Sequence, residues 1–340
     1  MTPQPVLVTG ASGFIGGRLV GRLMECRYCV SCLVRRNSRI EGLCSGGAQL
    51  IIGDVTDQRS VERALAESQA GTVFHLAGLV KALGRDDFMQ VNAGGVDIVA
   101  AACAACASPP VLVVVSSLSA AGPGAADQLR EEGDIAAPIS NYGRSKLAGE
   151  EAAARYAGVV PISIVRPPIV FGPGDRGVLE IFGPITRWGV HVVPGWGGER
   201  RFSLVYVDDL VEGLLLVAEK GERLGVQGSP GRGVYFIAGG ENPTYAQLGQ
   251  AIGQALGRKR LTVMRLPGPL LRLVGVGGDV MARVRRQPGW INSDKITEAL
   301  GGSWTCSAEK ARSQLGWSPA FTLDERLQET AQWYRQAGWL

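Results

Sequence analysis

An apolar strand near the start of this chain runs directly into a glycine-rich turn and then into a helix, an order that few folds accommodate. The segment reads VLVTGASGFIGG, with Gly10, Gly13 and Gly16 spaced as TGxxGxxG. Glycines at this spacing permit a tight turn and let a ligand approach the backbone closely. The amides at the N-terminus of the following helix, where Phe14 and Ile15 lie, can then bind a pyrophosphate. The turn therefore predicts a dinucleotide-binding unit.

Short apolar runs alternate with helix-period segments through the first half of the chain. The runs are rich in Val, Ile and Leu without polar alternation, which is typical of parallel strands covered on both faces. Strands are predicted at 6–9, 29–34, 49–52, 72–76, 111–116 and 162–166, and helices at 16–26, 58–67, 88–106 and 141–156. This alternation predicts an α/β fold with a Rossmann-type, doubly wound parallel sheet.

After Arg166 the pattern loosens into loops rich in proline and glycine. Helices are predicted at 208–219, 244–256, 307–315 and 322–337, and two of them begin with capping-box spacing, Thr244 with Gln247 and Thr322 with Glu325. A run at 234–237 is a candidate strand that returns to the first sheet. We expect a cofactor-binding domain over residues 1–170, joined by about 203–240, and a smaller α/β substrate-binding domain over 171–202 and 241–340.

Charge and cysteine content exclude several classes of protein. Lys and Arg total 35 and Asp and Glu 31, so the net charge of +4 argues against nucleic acid as a partner. The seven cysteines are odd in number and scattered, which indicates reduced thiols, and the two CxxC pairs lack the further ligands that a zinc site needs. Without a leader or a spanning apolar stretch, a cytoplasmic location is expected, with no metal.

The end of the second strand carries the signal for cofactor choice. An acidic residue there would bond a ribose 2′-hydroxyl, whereas arginine suits a 2′-phosphate. Val34 occupies the position of the expected acid, and Arg35 and Arg36 follow it. The sequence therefore favours NADP(H), and NAD(H) is the alternative, with the two arginines then serving only as exposed residues at a strand end.

Two further strand ends supply candidate cofactor contacts. Asp54, followed by Val55 in the GDVTD segment, is placed to accept from an adenine amino group, although a turn or N-cap role is the alternative. In FHLAG, small residues that include Ala77 let the backbone pass beside the cofactor. His75 is predicted to be structural.

Tyr142 and Lys146, in SNYGRSKLAGEE, lie four residues apart on one face of a predicted helix. An ammonium beside a phenol is expected to lower the phenol pKa from its usual value of about 10, which suits proton exchange with a substrate oxygen. The lysine is also a candidate for bonding the nicotinamide ribose. Ser117, which follows Ser116 at the end of the fifth strand, is a candidate for holding a carbonyl oxygen.

These residues occur in an order that resembles the extended short-chain dehydrogenase/reductases, which include nucleotide-sugar epimerases and dehydratases, 3β-hydroxysteroid dehydrogenases and dihydroflavonol-type reductases. The resemblance rests on TGASGFIG (9–16), GDVTD (53–57), VNAGG (91–95), VSSLSAAG (115–122), YGRSK (142–146), RPPIVFGPGD (166–175) and VYVDDL (205–210). It implies a catalytic triad of Ser117, Tyr142 and Lys146, with Pro167 and Ile169 near the nicotinamide. It also implies a homodimer formed through the helices at 88–106 and 141–156.

The substrate class is narrowed by one departure from the nucleotide-sugar pattern. Members of that branch carry RDFxYVDD, whose arginine faces a diphosphate, but this chain has Phe202 and Ser203 at the first two positions. Arg200 and Arg201 lie close enough to substitute for the missing charge. The leading hypothesis is therefore an NADP(H)-preferring oxidoreductase for an apolar, sterol-like or other lipid-like alcohol or ketone. A nucleotide-sugar epimerase or dehydratase, or a non-catalytic cofactor-sensing protein, is the alternative.

The segment 265–286, RLPGPLLRLVGVGGDVMARVRR, is apolar, interrupted by glycine and flanked by arginine. Three interpretations of this segment are open. It packs within the smaller domain, it forms an apolar lid over the substrate, or it makes a peripheral contact with a membrane surface.

Overall fold

Seven parallel strands form the central sheet of the computed structural model, in the order 49–52, 29–34, 5–9, 72–75, 111–115, 162–165 and 234–235. The structure describes residues 4–44, 46–125, 128–195, 199–226, 230–289 and 291–340. The sheet strands are β1 (Pro5–Thr9), β2 (Cys29–Val34), β3 (Gln49–Ile52), β4 (Thr72–His75), β5 (Val111–Val115), β6 (Ile162–Val165) and β10 (Val234–Tyr235). The predicted doubly wound α/β fold is confirmed, and so is the return of a strand near residue 234.

Helices cover both faces of this sheet. In the first half they are α1 (Phe14–Glu25), α2 (Glu41–Cys44), α3 (Gln58–Ser68), α4 (Arg85–Phe88), α5 (Gly95–Ala104), α6 (Leu118–Ala121) and α7 (Asn141–Ala154). Val6 and Val8 pack with α1 and with α9 (Val207–Lys220), whereas Leu7 packs with α3 and α5 on the opposite face. Because neighbouring residues of a strand point to opposite faces, burial on both sides explains the absence of polar alternation.

The remaining elements follow Arg166, and some of them form a third apolar core. They are β7 (Ile169–Phe171), α8 (Leu179–Trp188), β8 (Val190–Pro194), β9 (Leu204–Tyr206), α10 (Tyr245–Ala255), β11 (Thr262–Leu266), α11 (Gly268–Arg285), α12 (Ser293–Leu300), α13 (Glu309–Leu315) and α14 (Leu323–Gln336). Strand β8 pairs with β11 and β7 with β9, while Phe182, Leu248 and Tyr334 join helices α8, α10 and α14. The division into two domains stays a prediction.

Sequence pattern located some of these elements and missed others. Both predicted capping boxes are confirmed, at the starts of α10 and α14. The predicted helix at 88–106 is instead α4, a π-helical turn (Met89–Gly94) and α5. The loop-rich pattern after Arg166 hid α8, which has Pro184 inside it, and the strands β8 and β11, because short strands have no distinctive periodicity. Within the described residues, no helix is both long and apolar enough to cross a membrane.

Helix α7 is fixed to the sheet by a buried ion pair. Glu150 accepts from Arg166, which follows β6, with an Nη2 to Oε2 distance of 2.5 Å, and their side chains are 6% and 7% exposed. The Ser116 hydroxyl at the end of β5 donates to the same carboxylate. These contacts hold one face of α7 against the carboxyl ends of two neighbouring strands.

Replacing Glu150 by alanine should lower the free energy of unfolding by about 3 to 5 kcal/mol, because it leaves the Arg166 guanidinium buried without a counter-charge. Denaturant unfolding measures this change. Glu67→Ala is the matched control, since Glu67 pairs with Arg63 on an exposed helix face and should have little effect. Equal losses in the two variants would contradict the role given to Glu150.

Candidate active site

The glycine turn lies between β1 and α1, beside the start of the loop after β4. Gly10 has a φ of +73°, and a methyl group on it would lie 2.6 Å from the Ala77 nitrogen. A methyl group on Gly16 would lie 2.1 Å from the Gly10 carbonyl oxygen. Only glycine therefore fits these two positions.

The start of α1 is shaped for an anion. Gly13 is the N-cap residue and offers no side-chain hydrogen bond, and the first turn, with Phe14 and Ile15, contains no acidic residue. The first amides of a helix have no intrahelical acceptor, and the helix dipole adds positive potential there. The turn thus fits the pyrophosphate of a nicotinamide dinucleotide.

The predicted cofactor contacts at the second and third strand ends lie in exposed or half-buried turns. Arg35 and Arg36 follow β2 with exposed side chains, and neither guanidinium has an ion pair with any residue that the structure describes. One carboxylate oxygen of Asp54 accepts from the Thr56 amide at 2.9 Å, so the turn interpretation holds for that oxygen. Val55 is buried and packs against Gly95.

The remaining predicted contacts lie after β4, after β6 and in β7. The Ala77 amide donates to the Thr9 hydroxyl at 3.3 Å, and the Pro167 carbonyl accepts from Leu118 at 2.8 Å. Ile169, half-buried, begins β7. His75 is buried, and burial together with the nearby Lys146 ammonium lowers its pKa to about 3, so the ring is neutral and fits a structural role.

Helix α7 places Tyr142 and Lys146 beside the carboxyl end of β5. Lys146 is buried, and its ammonium donates to the Val115 carbonyl oxygen at 2.7 Å. It also lies near Gly78, on which a methyl group would be 3.7 Å from Nζ. Burial lowers the pKa of Lys146 to about 8, against the opposing effect of Glu150.

The pKa of Tyr142 corrects the expectation from sequence. Its phenol is desolvated by the surrounding protein, which raises the pKa above the ordinary value. The Lys295 ammonium and the nearby Ser117 hydroxyl partly offset this rise in the pKa, and Lys146 does not contribute to the offset. Lys146 is directed to the Val115 carbonyl oxygen instead. Because its pKa is raised, the Tyr142 phenol is protonated at neutral pH.

Lys295 belongs to α12, a helix that the sequence pattern did not reveal as part of the site. Its ammonium lies 5.0 Å from the centre of the Tyr142 ring and is paired with Glu298 at 2.8 Å. Asp294 accepts from the Asn141 and Tyr142 amides at 2.6 and 3.1 Å, which completes the N-terminus of α7. No spacing signal links residues so far apart in the chain.

Asn92, in the π-helical turn, supports the opposite side of the Tyr142 helix. Its side chain is buried, donates to the Ser145 hydroxyl at 2.9 Å and accepts from the Leu79 amide at 2.7 Å. The VNAGG segment contains this residue, but the sequence analysis gave it no role. The π-helical turn therefore connects the loop after β4 to helix α7.

The positions that distinguish the nucleotide-sugar pattern are filled by structural residues. Phe202 and Ser203 are buried, and the Ser203 hydroxyl accepts from the Cys306 amide at 3.0 Å. Arg200 and Arg201 donate to the backbone carbonyls of Pro194 and Asn242. Arg200 also lines a small cavity with Tyr245 and Arg265.

Comparison with known proteins places this arrangement among nicotinamide-dependent enzymes. The profile of the NAD dependent epimerase/dehydratase family matches residues 6–229. A ceramide reductase from Caulobacter vibrioides is 30% identical over 341 residues, covering 98% of this chain and 96% of that protein. A 3β-hydroxysteroid dehydrogenase/Δ5→4-isomerase from Mycobacterium tuberculosis is 27% identical over 347 residues, covering 97% and 90%.

A solved structure agrees with the fold. The UDP-glucose 4-epimerase of Thermus thermophilus, in complex with NAD, superposes with a TM-score of 0.76 at 23% identity, covering 98% of this chain and 99% of that one. This likeness shows a shared architecture.

Replacing Gly16 by alanine should abolish nicotinamide-cofactor binding, since the new methyl group would force the turn apart. Gly21 in the same helix is the matched control, because a methyl group there meets no atom within 4 Å. Thermal unfolding with and without NADPH or NADH distinguishes them. Gly16→Ala should lose the cofactor-induced stabilisation and Gly21→Ala should keep it. A wild-type cofactor shift in Gly16→Ala would show that the cofactor binds elsewhere.

Proposed function

This chain belongs to the NAD dependent epimerase/dehydratase family and is an NAD(P)-dependent oxidoreductase of the extended short-chain dehydrogenase/reductase type. We propose that it interconverts a secondary alcohol and a ketone on a lipid-like substrate, with preference for NADP(H). One observation carries the proposal. Tyr142, whose phenol is protonated and close to Ser117, lies on the helix that packs against the carboxyl end of β5.

The side chains in this cleft have complementary roles in ketone reduction. Tyr142, protonated at neutral pH, donates its proton to the carbonyl oxygen as that oxygen gains negative charge. Ser117 donates a hydrogen bond to the same oxygen, and Lys295 stabilises the phenolate that the transfer leaves behind. When bound, the nicotinamide cofactor supplies the hydride. Alcohol oxidation uses the same groups in reverse, with Tyr142 accepting the proton.

The apolar substrate class is supported by the relatives and by one departure from the sugar pattern. The names of two relatives, a ceramide reductase and a 3β-hydroxysteroid dehydrogenase, both refer to lipids. Phe202 occupies the position of the diphosphate-facing arginine and is buried in the core. A charged sugar nucleotide would therefore lack one of its expected partners.

NADP(H) preference is supported by the loop after β2. Val34 leaves no carboxylate for a ribose 2′-hydroxyl, and the exposed guanidinium groups of Arg35 and Arg36 suit a 2′-phosphate. Either guanidinium can bond a phosphate without first breaking an ion pair with the part of the chain that the structure describes.

A nucleotide-sugar epimerase is the second candidate, favoured by the cavity that Arg200 and Arg265 line with Tyr245. Two guanidinium groups at one cavity suit a diphosphate. Such an epimerase would recycle its hydride during turnover. Stoichiometric release of oxidised or reduced cofactor with a lipid-like substrate, and none with UDP-sugars, would exclude it.

Replacing Tyr142 by phenylalanine should reduce turnover of a lipid-like ketone by about a hundredfold or more, because the proton donor is removed while the ring packing is kept. NADPH binding should change little. Tyr156→Phe is the matched control, since Tyr156 lies just beyond the same helix and bonds Asp97 away from the cleft. Absorbance of the reduced cofactor measures turnover. Wild-type turnover in Tyr142→Phe would remove Tyr142 from the mechanism.

Replacing Arg35 and Arg36 together by serine should weaken NADPH binding by about tenfold or more and leave NADH binding nearly unchanged, because charge-assisted bonds to the 2′-phosphate are lost. Arg39→Ser, an exposed arginine in the same loop, is the control. Isothermal titration of each variant with both nucleotides gives the ratio of affinities. Equal weakening of NADPH and NADH would contradict recognition of the 2′-phosphate.

A further inference from the structure

Helix α11 has apolar residues on two opposite faces. On the inner face, Leu271 and Gly275 are buried, and Gly275 lies so close to α12 that a methyl group on it would be 3.0 Å from an Ile296 carbon. Gly278 approaches the Ile291 carbonyl oxygen in the same way. This face explains why the helix has glycines, because they allow α11 to pack closely on the α12 segment.

The outer face of α11 is apolar and has no partner in the described parts of the chain. Its exposed residues recur at helical spacing, so at about 100° per residue they form one continuous stripe along the helix. They are Leu270, Leu273, Val274, Val276, Val280, Met281 and Val284. Leu273 and Val284 are 70% and 76% exposed. A stripe of this kind in water is unusual for a helix whose other face already packs in the protein.

Positive charge borders this stripe. Arg272 and Arg283 fall on one edge of it at helical spacing, and Arg285 falls on the other. Residues 258–286 contain eight Lys and Arg side chains and one acid, so their net charge is +7. The acid, Asp279, lies off the stripe and accepts from the Ser293 amide at 3.3 Å.

We propose that the outer face of α11 binds the surface of an anionic lipid bilayer. An apolar stripe edged by arginine is suited to the boundary between acyl chains and negatively charged headgroups, with the helix lying in the plane of the membrane. A second copy of the chain would bring the same excess of positive charge to the contact, so charge favours lipid as the occupant. The proposal rests on α11 and does not depend on the proposed activity.

This orientation would bring the active site close to the bilayer. Helix α12 contacts α11 on one side and Tyr142 on the other, through Gly275 and Lys295 respectively. Helix α12 therefore lies between the proposed membrane-binding helix and the phenol.

Vesicle co-sedimentation of the full chain tests the proposal. Protein should bind vesicles of phosphatidylcholine mixed with phosphatidylglycerol, and bind pure phosphatidylcholine about tenfold more weakly or worse, with binding reduced by high salt. The double variant Leu273→Gln/Val284→Gln should lose about tenfold or more in binding. Val226→Gln is the matched control, because Val226 is also 76% exposed but lies away from α11.

Two further measurements complete the test: vesicle binding by a charge variant, and the molecular mass in solution, which detects a dimer. Arg283→Gln/Arg285→Gln should lower binding to the anionic vesicles and have little effect on the residual binding to pure phosphatidylcholine. Thermal unfolding shows whether each variant is folded. Absence of wild-type binding to anionic vesicles, or full binding by folded Leu273→Gln/Val284→Gln, overturns the proposal. A dimer that this double variant dissociates, without vesicle binding by the wild type, overturns it in favour of a second copy.

Discussion

The buried Glu150 carboxylate is the contact on which the geometry of the site depends. It connects three elements, since it lies on α7 and accepts hydrogen bonds from Arg166 after β6 and from the Ser116 hydroxyl at the end of β5. Lys146 and Tyr142 lie about one and two turns nearer the helix N-terminus, on a segment that cannot slide along the sheet without breaking this ion pair. The Glu150 contacts thereby fix the position of the helix that carries the Tyr142 phenol.

The core of the fold could be predicted because its signals are local. Apolar runs without alternation identified the first six strands, and the glycine spacing identified the turn after β1, where Gly10 and Gly16 admit no side chain. Consecutive strands lie side by side from β1 to β3 and from β4 to β6, as short right-handed βα connections lead one to expect. Ser117, Tyr142 and Lys146 lie at strand or helix ends that this topology brings together.

The remainder depends on contacts between distant parts of the chain. The sequence predicted Lys146 as the ammonium that acts on the Tyr142 pKa, whereas in the structure Lys146 donates to a backbone carbonyl and Lys295 of α12 lies over the Tyr142 ring. Burial then reverses the direction of the expected pKa change. Strands β8 and β11 escaped prediction for the same reason, because each is stabilised by a partner about seventy residues away.

The N-terminal amides of helix α7 depend on an acceptor from another part of the chain. Ser140 caps the Gly143 amide, but the amides of Asn141 and Tyr142 are satisfied by Asp294 from the far end of the chain. Any motion that lifts α12 strips two donors of their acceptor and loosens the first turn, where the phenol resides. The position of α12 and the rigidity of the proton donor are thus thermodynamically linked, so any contact that holds α12 more firmly in place also stabilises the helical turn that carries Tyr142.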